Sequence, residues 1–138
     1  MYHYKIDMKD KCKDCGECCL DTEMILSQHD IDLIVKNYPT IINKRDFTFK
    51  NKNGNFQIKN YDNHCVFLDF STKKCKIYDY RPQGCRFYPL IYDFQLKNCV
   101  FDKDCPRIHL FYQEQKAFNE MCNSLRNFLK YQLNFELT

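Results

Sequence analysis

Cys12-Lys13-Asp14-Cys15-Gly16-Glu17-Cys18-Cys19 is the stretch on which the reading of this chain turns. Its spacing, C-x2-C-x2-C-C, leaves two residues between successive thiols, a gap that lets a tight turn aim neighbouring thiolates at one metal ion. Gly16 supplies the backbone freedom that such a turn requires. Adjacent side chains point in different directions, so Cys18 and Cys19 are not expected to close the same small chelate. One of them then faces a second centre or packs as a buried thiol.

Outward from this block the remaining cysteines are spaced singly, at Cys65, Cys75, Cys85, Cys99, Cys105 and Cys122. Single cysteines at the ends of short strands and turns cannot chelate locally, but they can converge in space to complete sites that the first block begins. Arg81 and Arg86 flank Cys85 and are expected to balance excess thiolate charge and donate hydrogen bonds to sulfur. Taken alone, each arginine reads better as a surface residue or an ordinary ion-pair partner. Cys122 falls among Phe118, Met121 and Leu125 on one helical face, which reads as a core thiol.

Ten cysteines in 138 residues is several times what a packed interior requires. The start, Met1-Tyr2-His3-Tyr4-Lys5-Ile6-Asp7, is polar and has no apolar run behind a basic flank. No stretch approaches the roughly 20 apolar residues of a bilayer span. The expectation is a cytoplasmic protein without a membrane partner, in a reducing compartment where structural disulfides seldom persist. Metal ligation then accounts best for the cysteines. The formal charge of +3 counts every thiol as neutral; ionising eight of them around two divalent ions subtracts eight and adds four, giving −1. Lys11, Lys13, Lys73, Lys74 and Lys76 flank cysteines, but no RNA or DNA motif accompanies them, and nucleic acid is disfavoured as a partner.

Along the chain, Ser27 is placed to cap a helix and Asp30 to favour its positive end, with Ile31, Ile34, Val35 and Tyr38 on one face and Pro39 as the stop. Phe47 and Phe49 alternate with polar residues, Asn53-Gly54 turns, and Phe56 and Ile58 resume the alternation, which predicts a hairpin. Val66-Phe67-Leu68 and Lys76-Ile77-Tyr78 predict a short strand pair with Cys65 and Cys75 at its ends. Residues 90–94 and Val100-Phe101 predict another around Lys97-Asn98. Phe111, Phe118, Met121, Cys122, Leu125, Phe128 and Leu129 predict a long C-terminal helix over about 107–135. With no linker or repeat, the chain reads as one small irregular α+β domain over 1–138. Short β-hairpins, an N-terminal helix and a long C-terminal helix surround a cysteine-bound metal centre, with the motif region over 12–106.

These residues resemble the CxxCxxCC, or YkgJ-type, cysteine-cluster proteins, described as chelating zinc or iron. The resemblance runs from Cys12 to Pro106, through Cys12-x2-Cys15-Gly16-x-Cys18-Cys19, Cys65-Val66-Phe67-Leu68, Cys75-Lys76-Ile77-Tyr78 and Arg81-Pro82-x2-Cys85-Arg86-x-Tyr88-Pro89. It implies a ligand set of Cys12, Cys15, Cys18, Cys19, Cys65, Cys75, Cys85 and an eighth cysteine. Cys99 and Cys105 compete for that eighth place. Cys105 is preferred because Asp104-Cys105-Pro106 leaves a turn and opens a helix, while Cys99 sits in a strand.

Eight cysteines divide into two closed tetrahedral zinc sites. The C-x2-C-x2-C run with a remote Cys-Pro instead echoes the ligands of a 4Fe-4S cubane, and tilts the reading toward an iron–sulfur cluster. The expected role is electron transfer, sensing or metal handling with an unidentified protein partner. A flagellin lysine methylase with a related cysteine motif implies the alternative, an iron–sulfur-dependent protein lysine methylase or a component of one. Against self-contained methyl transfer, the chain has three glycines and no glycine-rich loop after a strand. His3, His29, His64 and His109 are scattered, and His64 beside Cys65 reads as a turn residue.

Overall fold

The computed structural model describes residues 19–38, 40 and 43–137. The ligands expected at Cys12, Cys15 and Cys18, and the helix stop expected at Pro39, lie outside the described residues.

Strand β1 (Ile25–Leu26) runs through Ser27 into helix α1 (Gln28–Asn37). The Asp30 amide donates to Ser27 Oγ at 3.1 Å while the Ser27 amide donates to the Asp30 carboxylate at 3.0 Å. This reciprocal cap satisfies two amides that a helix start otherwise leaves open. Ile31 and Ile34 form the buried stripe, with Val35 and Tyr38 packed at its edge. Burying a side chain of that size contributes about 1.5–3 kcal/mol.

Strands β2 (Thr48–Lys50) and β3 (Phe56–Ile58) form the expected hairpin, and β1 pairs with the other edge of β3. The Asn51 side chain shapes the turn by accepting from the amides of Asn53 and Asn55, both at 3.0 Å, and Gly54 takes a φ of +83°. The expected alternation of Phe47 and Phe49 does not hold: Phe47 is fully buried, whereas Phe49 is 42% exposed. Phe47 ends a 3-10 turn (Lys44–Asp46) and lies before the strand, so the two rings are out of phase.

Cys65 was expected on the same strand pair as Cys75, and the structure divides them. Strand β4 (Asn60–Tyr61) pairs with β5 (His64–Cys65) across Asp62 and Asn63, both left-handed at φ of +52° and +66°. That is the mirror-type turn whose twist suits a hairpin. Strand β6 (Leu68–Asp69) then pairs with β7 (Lys74–Cys75), setting Cys75 opposite Leu68.

Helix α2 (Gln83–Phe87) precedes the hairpin of β8 (Leu90–Asp93) and β9 (Asn98–Phe101), which falls where expected. Helix α3 (Gln115–Asn127) widens into a π-helical turn (Phe128–Gln132) and is shorter than the predicted 107–135. Tyr112 at φ +45° and extended Phe111 break the helical path before it, and both rings are buried from the loop.

Two apolar clusters result. One gathers Leu26, Ile31, Ile34, Phe47, Ile58 and Phe67 with their neighbours, and the other gathers Phe87, Leu90, Phe111, Leu125, Phe128 and Leu129 with theirs. The architecture is α+β, built of short antiparallel hairpins and helices. No described helix is long and apolar enough to cross a membrane.

Candidate metal centre

The chain leaving the first cysteine block is fastened to the hairpin that carries Cys65. Leu20 bridges His64, the Asp21 amide donates to the Asn63 carbonyl at 2.8 Å, and Asn60 Nδ2 donates to the Thr22 carbonyl at 2.9 Å. Cys65 is buried in the first apolar cluster, and half-buried Cys19 and Cys75 pack against the same cluster. Tyr38 and Phe47 close on Phe67 there, each with ring centroids 5.5 Å away. The His64 ring Nδ1 lies 3.0 Å from the Cys65 carbonyl, which can only accept, so that nitrogen carries the proton.

Cys75 leads into the 3-10 turn Tyr78–Tyr80. Burial first, then the charges at Tyr38, Cys75 and Asp79, hold the Tyr80 phenol above its ordinary value.

Cys85 rides on α2, and two contacts fix that helix. Asp30 is only 2% exposed, and its Oδ1 accepts from the Gln83 amide at 3.1 Å and from Gln83 Nε2 at 3.2 Å. One carboxylate therefore caps α1 through Ser27 and holds the start of α2. Gly84 lies so close to Met24 that a Cβ there would strike the thioether sulfur. The segment following the first block thus meets the hairpin of Cys65 at residue 20 and the helix of Cys85 at residue 24.

Arg81 stacks its guanidinium over the Tyr78 ring, 4.1 Å from the centroid, and donates to the Tyr78 carbonyl at 2.7 Å. Arg86 donates to the Asp79 carbonyl at 2.9 Å. Its pKa is lowered, first by partial withdrawal of the guanidinium from water and then by the charge of Arg81, with Asp30 and Cys85 acting in the opposite direction. Both arginines donate to carbonyl oxygens, and the Arg86 charge lies within electrostatic reach of Cys85 and of Arg81.

Cys105 is buried, and its Sγ accepts from the Arg107 amide at 3.4 Å. Cys99, in β9 as expected, and Cys122, on the buried face of α3, are joined by a disulfide with a Cα separation of 5.8 Å. Cys122 is therefore buried as its apolar neighbours imply, but it is a cross-linked half-cystine and not a core thiol. The packing of the β8–β9 hairpin on α3 brings the two residues together across 23 positions of sequence, a juxtaposition that no local pattern encodes.

Among the described residues, no three His, Cys, Asp or Glu side chains are gathered as a metal site requires. Two positioning features escaped the sequence reading. The Asp62-Asn63 pair, adjacent residues of the kind that tolerates left-handed backbone, could have been found as a turn signal before Cys65. The reach of Asp30 across to Gln83 has no signal in the sequence.

Known proteins agree with the motif reading. A 42-residue stretch is 48% identical to the uncharacterized protein MJ0661 of Methanocaldococcus jannaschii, covering 30% of this chain and 22% of that protein. The matched stretch thus spans about a fifth of that relative's length. No solved structure matches the chain at a significant level. Residues 11–123 match the family model CxxCxxCC, described as a "putative zinc- or iron-chelating domain". With its cysteine block, its Cys65 hairpin and its Cys85 helix all inside that match, the chain belongs to the CxxCxxCC family.

Proposed function

We propose that this is a metal-thiolate protein in which Cys12, Cys15, Cys18, Cys19, Cys65, Cys75, Cys85 and Cys105 hold an iron–sulfur cluster, or zinc in its place. The role is electron transfer, sensing or metal handling. Family membership supports metal binding in general. The observation that supports drawing Cys65 and Cys85 toward the first block is the course of residues 20–24, which meets the Cys65 hairpin through Leu20–His64 and the Cys85 helix through Met24–Gly84. Cys105 is taken as the eighth ligand because the Cys99 sulfur is bonded to Cys122.

An all-thiolate donor set fits iron–sulfur clusters and zinc, and is ill suited to hard cations. An iron–sulfur cluster supplies one-electron transfer, whereas closed zinc sites supply folding energy without redox chemistry. The chain's own residues act on either. Phe67, Tyr38 and Phe47 shield the Cys65 side from water, and the cations Arg81 and Arg86 lower the cost of concentrating negative sulfur near Cys85.

The test is anaerobic purification with analysis for iron, acid-labile sulfide and zinc. A brown protein with iron and sulfide in near-equal amounts is the expected result. A colourless protein with about two zinc ions per chain would replace electron transfer by a structural role. Folded protein that carries neither metal overturns the proposal.

A further inference from the structure

A cleft of about 470 Å3 opens between residues 20–25, the β8–β9 hairpin and the C-terminal helical segment. Buried Leu90 and Phe128 lie at its walls, while Leu20, Ile91 and Phe94 line it with 38%, 38% and 51% of their surface exposed. Apolar side chains grouped around one cavity can serve as a contact surface, whereas the same residues scattered singly are ordinary exterior. The volume is that of a site for a few side chains.

The charges around it are one-sided. Asp21, Glu23, Asp102 and Asp104 line the cleft, and no lysine, arginine or histidine among the described residues does so. Four carboxylates without a cationic side chain beside them among the described residues make the cleft a negative patch. Asp102 is held in place at the wall by the Tyr88 hydroxyl and the Asp104 amide, each donating at 2.9 Å. Carboxylates above apolar walls are met together by an ammonium or guanidinium on an aliphatic stem, flanked by apolar side chains. Residues 1–18 as a whole carry four lysines against four acidic side chains, and so offer less positive charge than a basic partner segment would.

We infer that this cleft is the docking site for a basic, apolar peptide segment of a partner protein. The inference stands independently of which metal the cysteines hold. It places the partner against residues 20–25, directly after the first cysteine block.

The test is fluorescence anisotropy on the full, metal-loaded chain with a short labelled peptide alternating lysine and leucine, and with its glutamate-for-lysine counterpart. Two variants accompany it: Asp21→Asn with Glu23→Gln, and Ile91→Ser. All three side chains are exposed, and asparagine tolerates the left-handed backbone of Asp21, so thermal melts should match the parent. The expected result is binding of the basic peptide only, weakened about tenfold by either variant and weakened by added salt. No binding, equal binding of both peptides, or indifference to either variant overturns the inference. So does full displacement by spermine, which would show a carboxylate patch without an apolar site. Self-association abolished by Ile91→Ser would make a second copy of the chain the occupant, and equally overturns it.

Discussion

Cys122 occupies a position that packing alone would grant to any small apolar residue, yet its bond to Cys99 closes a loop of 23 positions. A cross-link over that separation stabilises by about 3 kcal/mol on the chain-entropy account. Cys122→Ala should therefore melt below the oxidised parent and close to the parent in reductant, with metal content unchanged. Cys15→Ser, at a proposed ligand, should instead lose metal, so metal analysis separates the two where a melt alone would not. At the surface, the Asp69 carboxylate accepts from the Ser71 hydroxyl at 2.8 Å and from the Ser71 amide at 3.1 Å. The hydroxyl is the chief cause of a pKa below the ordinary 3.8. A depressed folded-state value means that Asp69 favours the fold above the unfolded value and loses that contribution as pH falls through the folded one. Ser71→Ala should raise the Asp69 midpoint followed by NMR, and an unmoved midpoint would contradict the assigned cause.

Elements are joined here by few groups with several partners each. Asp30 accepts from the Ser27 amide within α1 and from the Gln83 amide at the start of α2. Ser27→Ala removes one cap and should cost about 1 kcal/mol. Asp30→Ala removes a buried acceptor shared by two helices, and should cost about 1–3 kcal/mol more in a urea titration. Equal losses in the two variants would mean that the link to α2 contributes nothing. Gly84→Ala displaces only the end of the flexible Met24 side chain, set against the better helix propensity of alanine, so the same titration should move by less than about 1 kcal/mol. The parts of this architecture that were legible in the sequence are the local ones. Ser27 with Asp30, the Asn53-Gly54 turn and the 90–101 hairpin each rest on residues within a few positions of one another. The predicted helix overran because Phe111 has the right spacing for α3 but is buried from a loop that Tyr112 turns left-handed, and only tertiary packing decides that.

For the molecule as a whole, the candidate ligands were legible as residue types and spacings, and their grouping was not. Cys19, Cys65 and Cys75 attach to one apolar cluster, Cys85 rides on α2, and Cys105 belongs to neither cluster. Metal centres that together draw on all of them would tie both halves of the chain. Chelation under reducing conditions should then lower the melting midpoint and raise hydrogen exchange at Cys65 and Cys85 together. Structural zinc in small domains is worth on the order of 10 kcal/mol, so the effect should be large. Exchange that rises at one of the two positions alone would show that bound metal does not couple them. The two clusters draw on successive stretches: the buried members of the first run from Leu26 to Ile77, and those of the second begin at Phe87. Neither borrows a buried residue from the other's span. During synthesis the ribosome therefore delivers every large side chain of the first nucleus before any of the second exists, and that nucleus can close on the nascent chain while α3 is still untranslated.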